Sequence, residues 1–297
     1  MATQKIDSTA ARDQAPAARV SVGTEEIIAA ATALARAARW DTAARMLASA
    51  QVAEPGAASR RLALAGAAVA VHHDFRTAGP RWAPEAMAAA EAAQARNAGD
   101  ASDSGSQWRL DLLRLQYDYE IALTGPDGTP SFGPEGRDPA ALAALARRAE
   151  ELSRAIPDVA GAGWAMFYRG LIADNLTGDR DGPARWFAQA LDAAERACDD
   201  YLAGEALRHL GDHEMQAGDL AAARASWERS AALWAGIGNV TGVLAQQVLL
   251  AELAFAEGDA PGGAALAAEV SRWAGAAGMA LYQRSADALI ERHRPPH

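Results

Sequence analysis

A Gly-Asp pair recurs at intervals of 40 residues in the C-terminal half of the chain, at Gly178-Asp179, Gly218-Asp219 and Gly258-Asp259. An apolar segment with helical spacing precedes each pair, and a second segment rich in alanine follows it. A fixed period of this size indicates a solenoid of helical repeats, in which each unit buries its apolar face only against its neighbours.

Hydrophobic residues make up 50% of the 297 residues, which is enough to bury a large core. The formal net charge is −10, which argues against a general binder of nucleic-acid phosphates, because such proteins cluster Lys and Arg. Cys198 is the sole cysteine, so the sequence allows no intrachain disulfide and fits a reducing cytoplasm. We find neither a signal peptide in residues 1–22 nor an apolar run of the roughly 20 residues that a membrane helix needs, and therefore expect a cytoplasmic protein.

The helical spacing of apolar residues predicts an all-α fold of about six helical hairpins in a right-handed superhelix, closed by a polar C-terminal helix. Residues 1–22 lack periodicity and predict a disordered tail, and 294–297 form a second short tail. The solenoid would then span 23–293. The Gly- and Pro-rich stretch 124–139 predicts a loop inserted between the two helices of one repeat.

The segment from Leu210 to Ser230 resembles the tetratricopeptide repeat. That family has a Leu-Gly pair in the first helix, a Gly-Asp turn, and then small and aromatic residues at fixed spacing in the second helix. The residues that carry the resemblance here are Leu210, Gly211, Gly218, Asp219, Ala223, Trp227 and Ser230. Physically, the small residues let the two helices approach closely, and the aromatic ring fills the gap beside them.

Neighbouring units depart from this pattern. The fourth unit inverts the Leu-Gly order to Gly170-Leu171 and has Pro183 where a small residue is usual, and the sixth has Ala267 at the aromatic position. The period of about 40 residues exceeds the usual 34 of the family. Units of this length are similar to those in bacterial regulator sensor domains and in kinesin light chains.

The resemblance implies that the first helix of each unit lines a concave groove that holds the ligand. The binding residues carried over by register are Tyr168, Arg169, Ile172 and Asn175 in unit four, Arg208, His209, Asp212 and Met215 in unit five, and Val248, Leu249, Glu252 and Phe255 in unit six. Arg169, Arg208 and His209 could clamp a carboxylate or an acidic peptide. Alternatively, they are solvated residues paired with Asp212 or Glu205.

Two histidine patterns have other interpretations. His209 and His213 are four positions apart, a spacing that can bind a metal, although a packed histidine is the commoner use. His72-His73-Asp74 would end a helix, where a cationic His suits the helix dipole and a catalytic role is an alternative. We expect no metal or other cofactor.

Three functions remain open. The first is a non-enzymatic scaffold or adaptor that binds a peptide segment or partner protein in the groove, as a helper in a bacterial biosynthetic or regulatory system. The second is a sensor of a small molecule or signal peptide, with Trp108, Tyr117 and Tyr119 lining an apolar pocket and the 124–139 loop as its lid. The third is an enzyme with an unrecognised site in the groove. No nucleic acid or membrane partner is expected, and the oligomeric state is open.

Overall fold

The computed structural model of the chain describes residues 22–50, 56–77, 81–96, 104–125, 130–155, 158–179 and 182–294. The predicted tail at 1–22 lies outside the described residues except for Val22, and so do 126–129 of the predicted loop and 295–297 of the C-terminal tail. The described residues form the helices α1 (Thr24–Arg36), α2 (Trp40–Ser49), α3 (Ala57–Arg76), α4 (Ala83–Ala95), α5 (Ser104–Leu123), α6 (Pro139–Arg154), α7 (Val159–Leu171), α8 (Pro183–Ala197), α9 (Asp200–Gln216), α10 (Leu220–Gly236), α11 (Val240–Ala256), α12 (Ala260–Ala276) and α13 (Ala280–Arg292). A π-helical segment, Ile172–Thr177, continues α7.

The helices pack in chain order, each against the next, from α1 on α2 to α12 on α13. Further contacts join α1 to α3, α3 to α5, α7 to α9, and α11 to α13. Within the described ranges there is no strand, apart from one isolated bridge between Thr124 and Pro130. The prediction of an all-α fold is therefore confirmed for this part of the chain. The described residues of the predicted insertion, 124–125 and 130–138, lie between α5 and α6, and Pro139 begins α6.

The turns of the C-terminal half repeat every 20 residues, half the period found in the sequence. Gly178, Cys198, Gly218, Gly238, Gly258 and Gly278 all adopt positive φ between 53° and 90° at these turns. After five of the six, an Asp or Asn side chain accepts a hydrogen bond from the backbone N–H three residues on, as an N-cap does. Each helix from α9 to α12 is therefore delimited by a left-handed residue and begins with such a side-chain cap, whereas Met279 stands at the capping position before α13 and Gly182 before α8.

The π-helical segment absorbs one extra residue in the first helix of unit four. Gly178 follows Gly170 by eight positions, whereas Gly218 follows Gly211 by seven. Gly170 nevertheless packs on Phe187 as Gly211 packs on Trp227. A π-helical turn accommodates one residue more than an α-helical turn. Residues before the π-helical segment therefore correspond to the residues 41 positions later in unit five. Residues after the segment correspond to those 40 positions later.

The N-terminal and C-terminal helices meet across the molecule. Arg76, at the end of α3, donates a hydrogen bond of 2.6 Å to the hydroxyl of Tyr282 in α13. In the turn between α1 and α2, Ala38 packs in one apolar cluster with Val240, Val248 and Tyr282. The guanidinium of Arg36 lies 5.5 Å from the ring centroid of Tyr201 in α9. These contacts close the space that the intervening helices surround.

Candidate binding cavity

A cavity of about 1300 Å³ lies within this arrangement. Residues of α3, α5, α7, α9, α11 and α13 line it, together with Trp227 and Trp234 of α10, the π-helical segment and residues 130–135 of the loop after α5. Odd-numbered helices are the first members of the predicted hairpins in the C-terminal half. The cavity is thus built mainly from the helices that the sequence assigned to ligand binding.

Six of the eight candidate binding residues lie on the cavity wall, and they are Tyr168, Arg208, His209, Asp212, Met215 and Glu252. Asn175 and Leu249 also line it. Arg169 and Phe255 do not, and neither do Ile172 and Val248. Ile172 is buried in the main apolar cluster, and Val248 packs in the cluster that joins α11 to α13.

Arg169 lies outside the cavity because of the one-residue shift in α7. At a separation of 41, Arg169 matches Leu210 rather than His209, and Tyr168 matches His209. The Arg169 guanidinium lies 3.9 Å from the ring centroid of Trp186 and donates a hydrogen bond of 3.2 Å to Ser153 Oγ. The structure therefore does not bring Arg169 together with Arg208 on the cavity wall, as the candidate clamp would need.

Phe255 replaces the missing aromatic residue of the sixth unit. Its ring packs against Gly263 in α12, where a methyl group on the glycine would lie 2.8 Å from Phe255 Cδ2. The other face of the ring stacks on His293 with a centroid separation of 4.0 Å. Since Ala267 leaves the usual aromatic position of the second helix empty, a ring from the first helix fills the gap, and Phe255 is not available to a ligand.

Aromatic rings form one wall of the cavity. Trp164 lies 6.4 Å from Tyr168 and 5.9 Å from Tyr201, in near-parallel arrangements with interplanar angles of 29° and 30°. Tyr119 meets Tyr168 edge-on at 5.7 Å, and its hydroxyl accepts a hydrogen bond of 2.7 Å from Asn175 Nδ2. Burial raises the pKa of the Tyr168 and Tyr201 hydroxyls, so these rings stay neutral.

The polar residues of α9 are paired with their neighbours. Arg208 lies 3.0 Å from His209 Nε2, and the His209 ring stacks on Phe187 with a centroid separation of 4.8 Å. Burial, and then the charge of Arg208, lower the pKa of His209 well below its usual value. His213, by contrast, lies 3.4 Å from an oxygen of Asp174, which raises its pKa.

The pKa values of the two histidines at metal-ligand spacing are thus shifted in opposite directions, so that His209 favours the neutral form and His213 the charged form. In the part of the chain that the structure describes, no three His, Cys, Asp or Glu side chains converge as the ligands of a metal would.

Arg76 is the other charged centre of the cavity. Besides Tyr282, its guanidinium contacts a carboxylate oxygen of Glu205 at 3.3 Å and the hydroxyl of Tyr201 at 3.4 Å. Its charge, after burial, also lowers the pKa of His72 to about 4. His72 is therefore neutral near pH 7, so this residue is not the cationic histidine expected at the helix end. The helix itself runs on to Arg76, three residues beyond His73.

Asp74 next to this cluster has a structural role. Its two carboxylate oxygens accept hydrogen bonds from the backbone N–H groups of Trp82 and Ala83, at 2.8 and 2.9 Å. His73 Nδ1 lies 2.9 Å from Asp74, and the His73 ring stacks on Trp82 at 3.6 Å. This carboxylate thus fixes the start of α4, and the His73-Asp74 pair is committed to packing.

Sequence reasoning missed Glu120, the most unusual group in the cavity. Its side chain is 7% exposed, and its Oε2 atom has no hydrogen-bond partner among the described residues. Burial raises the pKa of this carboxyl to about 9, because the charged form would lose its hydration. Glu120 precedes an exposed residue on α5 and lies outside the repeat pattern, so no signal in the sequence marked it as buried.

The aromatic side chains of α5 line two different cavities. Tyr119 lines the main cavity, whereas Trp108 and Tyr117 line a second cavity of about 970 Å³ between α4, α5 and α6. The Trp108 indole donates a hydrogen bond of 3.1 Å to the carbonyl of Leu152. The loop after α5 reaches the main cavity, where Gly133 N–H donates to the Asn175 carbonyl at 2.9 Å.

The arrangement can bind a ligand with both apolar and charged parts, because aromatic faces and charged groups share one enclosed wall. Among the described residues, no helix is both long enough and apolar enough to cross a membrane. In comparisons with known proteins, no family model matches this chain, and no curated protein matches it.

Proposed function

We propose that this chain is a tetratricopeptide-like, right-handed solenoid that binds a short peptide segment in its central cavity. Regular turns every 20 residues and sequential helix packing support the solenoid. The small-to-aromatic contacts of Gly170 with Phe187 and of Gly211 with Trp227 support the family resemblance, since they are the contacts that the repeat pattern predicts.

The observation that carries the binding function is the shared cavity of α3, α5, α7, α9, α11 and α13. Its volume of about 1300 Å³ exceeds the roughly 300–1,000 Å³ typical of sites for small molecules. An extended peptide of several residues fits this size better than a single metabolite. The mixture of rings and charged groups also suits a peptide, which presents both backbone dipoles and side chains.

Affinity selection tests this function. The protein is mixed with a degenerate pool of hexapeptides, separated from free peptide by ultrafiltration, and the retained peptides are identified by mass spectrometry. We expect the wild type to enrich related sequences and the Tyr168→Ala/Arg208→Ala variant to lose at least tenfold of the retained amount. Arg229→Ala is the matched control, because Arg229 is exposed and pairs with Glu195 on the outer helices. Equal retention by all three proteins would exclude the cavity as the binding site.

A second candidate is a sensor that closes on a small ligand. It is favoured by the loop residues 130–135, which border the cavity and are hydrogen-bonded both to the end of α5 and to the π-helical segment. A thermal-shift screen against metabolites distinguishes the two, because a ligand that binds only the folded state raises the melting temperature by mass action. A metabolite that stabilises the wild type but not the Tyr168→Ala/Arg208→Ala variant would favour the sensor.

A further inference from the structure

Glu120 presents an unsatisfied buried acceptor to the cavity. The side chain is 7% exposed and lines the cavity wall, and nothing in the described residues hydrogen-bonds its Oε2 atom. Buried polar groups in proteins are almost always hydrogen-bonded, since leaving one unpaired costs about 1–3 kcal/mol. An unpaired buried carboxyl oxygen on a cavity wall therefore indicates that its partner is a ligand.

The charges of the cavity favour a cationic ligand. Besides the protonated Glu120, the described lining residues carry more carboxyl groups than guanidinium groups, and these carboxyl residues are Glu135, Asp174, Glu205, Asp212 and Glu252. The guanidinium groups are those of Arg76 and Arg208, and each already has partners within the protein. His72 and His209, which also line the cavity, are held neutral by burial and by the arginines beside them, whereas Asp174 raises the pKa of His213, so that this histidine offsets one carboxylate at most. An incoming cation would thus meet a negative potential.

The aromatic wall suits the same kind of ligand. The faces of Trp and Tyr rings attract cations through their quadrupoles, most strongly where water is excluded. Trp164, Tyr168 and Tyr201 all line the cavity, and the Trp164 ring lies near-parallel to the rings of both tyrosines in one row. Glu120 and Tyr168 line the same cavity, and after burial the charge of Glu120 is the largest cause that raises the pKa of the Tyr168 hydroxyl.

We propose that the cavity binds a primary ammonium group, which donates a hydrogen bond to Glu120 Oε2 and lies against the rings of Tyr168 and its neighbours. This inference rests on the proposed binding function and names the chemistry of its ligand. A primary ammonium is favoured over a quaternary one because Oε2 lacks a donor, and only the primary group has N–H bonds to give. The ammonium could belong to a peptide amino terminus, to a lysine side chain or to a free polyamine.

Binding should release a proton. The free protein holds Glu120 protonated at pH 7, since its pKa is raised to about 9, and an ammonium beside it favours the ionised form. The proton of the carboxyl then passes to solvent, and the carboxylate and ammonium form a pair. The charged or titratable groups that face Glu120 from the surrounding elements are Asp74 and Arg76 on α3, Arg81 before α4 and Tyr168 on α7.

The test uses four probes in the ultrafiltration assay. The first is a hexapeptide pool with free amino termini and no lysine; the second is acetylated and contains one lysine per peptide. The third is acetylated and lysine-free, so that it has no primary ammonium. The fourth is spermidine. We expect retention of at least one of the ammonium-bearing probes to exceed that of the third pool by tenfold or more, and the probe retained identifies the source of the ammonium.

Variants and proton counting complete the test. Glu120→Gln keeps the shape of the side chain and should lower retention of the preferred probe at least tenfold, whereas the exposed Glu228→Gln on α10 should not change it. Calorimetry in two buffers with different ionisation enthalpies should show release of close to one proton per ligand at pH 7 for the wild type.

If the third pool is retained as well as the others and depends on Arg208, the ammonium site is wrong and the peptide function stands. If no probe is retained, both are wrong.

Discussion

A methyl group on Gly211 would lie 2.5 Å from Cδ1 of the Trp227 indole, closer than real side chains approach. The indole Nε1 donates a hydrogen bond of 3.0 Å to the carbonyl of Arg208, one turn before the glycine. Because Arg208 lines the cavity, the contact between α9 and α10 fixes the backbone that carries a candidate binding residue. The close packing of α10 on Gly211 thus helps to position Arg208 on the cavity wall.

Substitution at Gly211 should therefore destabilise the protein. We expect Gly211→Leu to lower the free energy of unfolding by about 1–3 kcal/mol or more, as overpacking of a core does. Limited proteolysis should then cleave first between 200 and 260, because the loss acts on one unit and its interfaces. Denaturant unfolding of purified protein measures the change in free energy.

Gly66→Ala in α3 is the matched control. Gly66 also lies inside a helix, but a methyl group there would meet nothing within 4 Å. It should stabilise the protein by roughly 0.5–1 kcal/mol through helix propensity. If Gly211→Leu behaves as Gly66→Ala does, the register between α9 and α10 is wrong.

The bond between Arg76 and Tyr282 should hold the two ends of the chain together. Tyr282→Phe removes an acceptor from a charged donor, which typically costs about 1.5–3 kcal/mol. Amide hydrogen exchange should become faster in α13 and in the turn between α1 and α2, which packs against the same cluster. Tyr117→Phe, at a ring of the second cavity, should leave exchange in both regions unchanged. If exchange becomes faster in α13 alone, the bond between Arg76 and Tyr282 does not hold the two ends of the chain together.

The sequence predicted the turns and the contacts within one hairpin better than the long-range contacts of this fold. The period of Gly178, Gly218 and Gly258 located the turns, because each needs a left-handed residue that glycine supplies without strain. The Gly211-to-Trp227 contact was also predictable, since it lies within one hairpin. The shorter 20-residue period was harder to find, because Cys198 stands at one of the positions that glycine otherwise occupies.

Two features of the site depend on information that a repeat alignment lacks. The π-helical segment shifts the register by one residue and moves Arg169 out of the cavity, although only the order of Gly170 and Leu171 signals it. The burial of Glu120 results from α3, α7 and the loop after α5 closing over α5, contacts between segments far apart in sequence. Neither charge nor periodicity of α5 by itself predicts that closure.

The π-helical segment should tolerate the loss of one residue. Deleting Ala173 would restore the seven-residue spacing of unit five, so α7 could continue as an ordinary α-helix to Gly178. We expect this deletion to change the free energy of unfolding by less than half as much as deleting Glu214 from the matching stretch of α9, which would break an existing register. Circular dichroism and denaturant unfolding of both variants provide the comparison. Equal losses would show that the π-helical segment is not a one-residue insertion.

Glu120 should make stability depend on pH. Its folded pKa of about 9 lies above the ordinary 4.5, so between these values the folded state holds a proton that the unfolded state has released. Stability from this proton is present below pH 4.5 and is lost as pH rises toward 9, with a slope of at most about 1.4 kcal/mol per pH unit. Glu120→Gln should thus gain stability relative to the wild type between pH 5 and pH 8. The exposed Glu228→Gln should show no such trend, and a flat difference for Glu120→Gln would contradict the burial of this carboxyl.

The central claim is that the odd-numbered helices hold the ligand inside the cavity. Hydrogen–deuterium exchange of the wild type, with and without the peptide or polyamine that it retains, tests this most directly because it locates the binding site. The account predicts slower exchange on binding in residues 117–123, 164–177 and 201–216, with α8 and α12 unchanged. Protection confined to α8 and α12 would contradict it, since no described residue of those two helices lines the cavity.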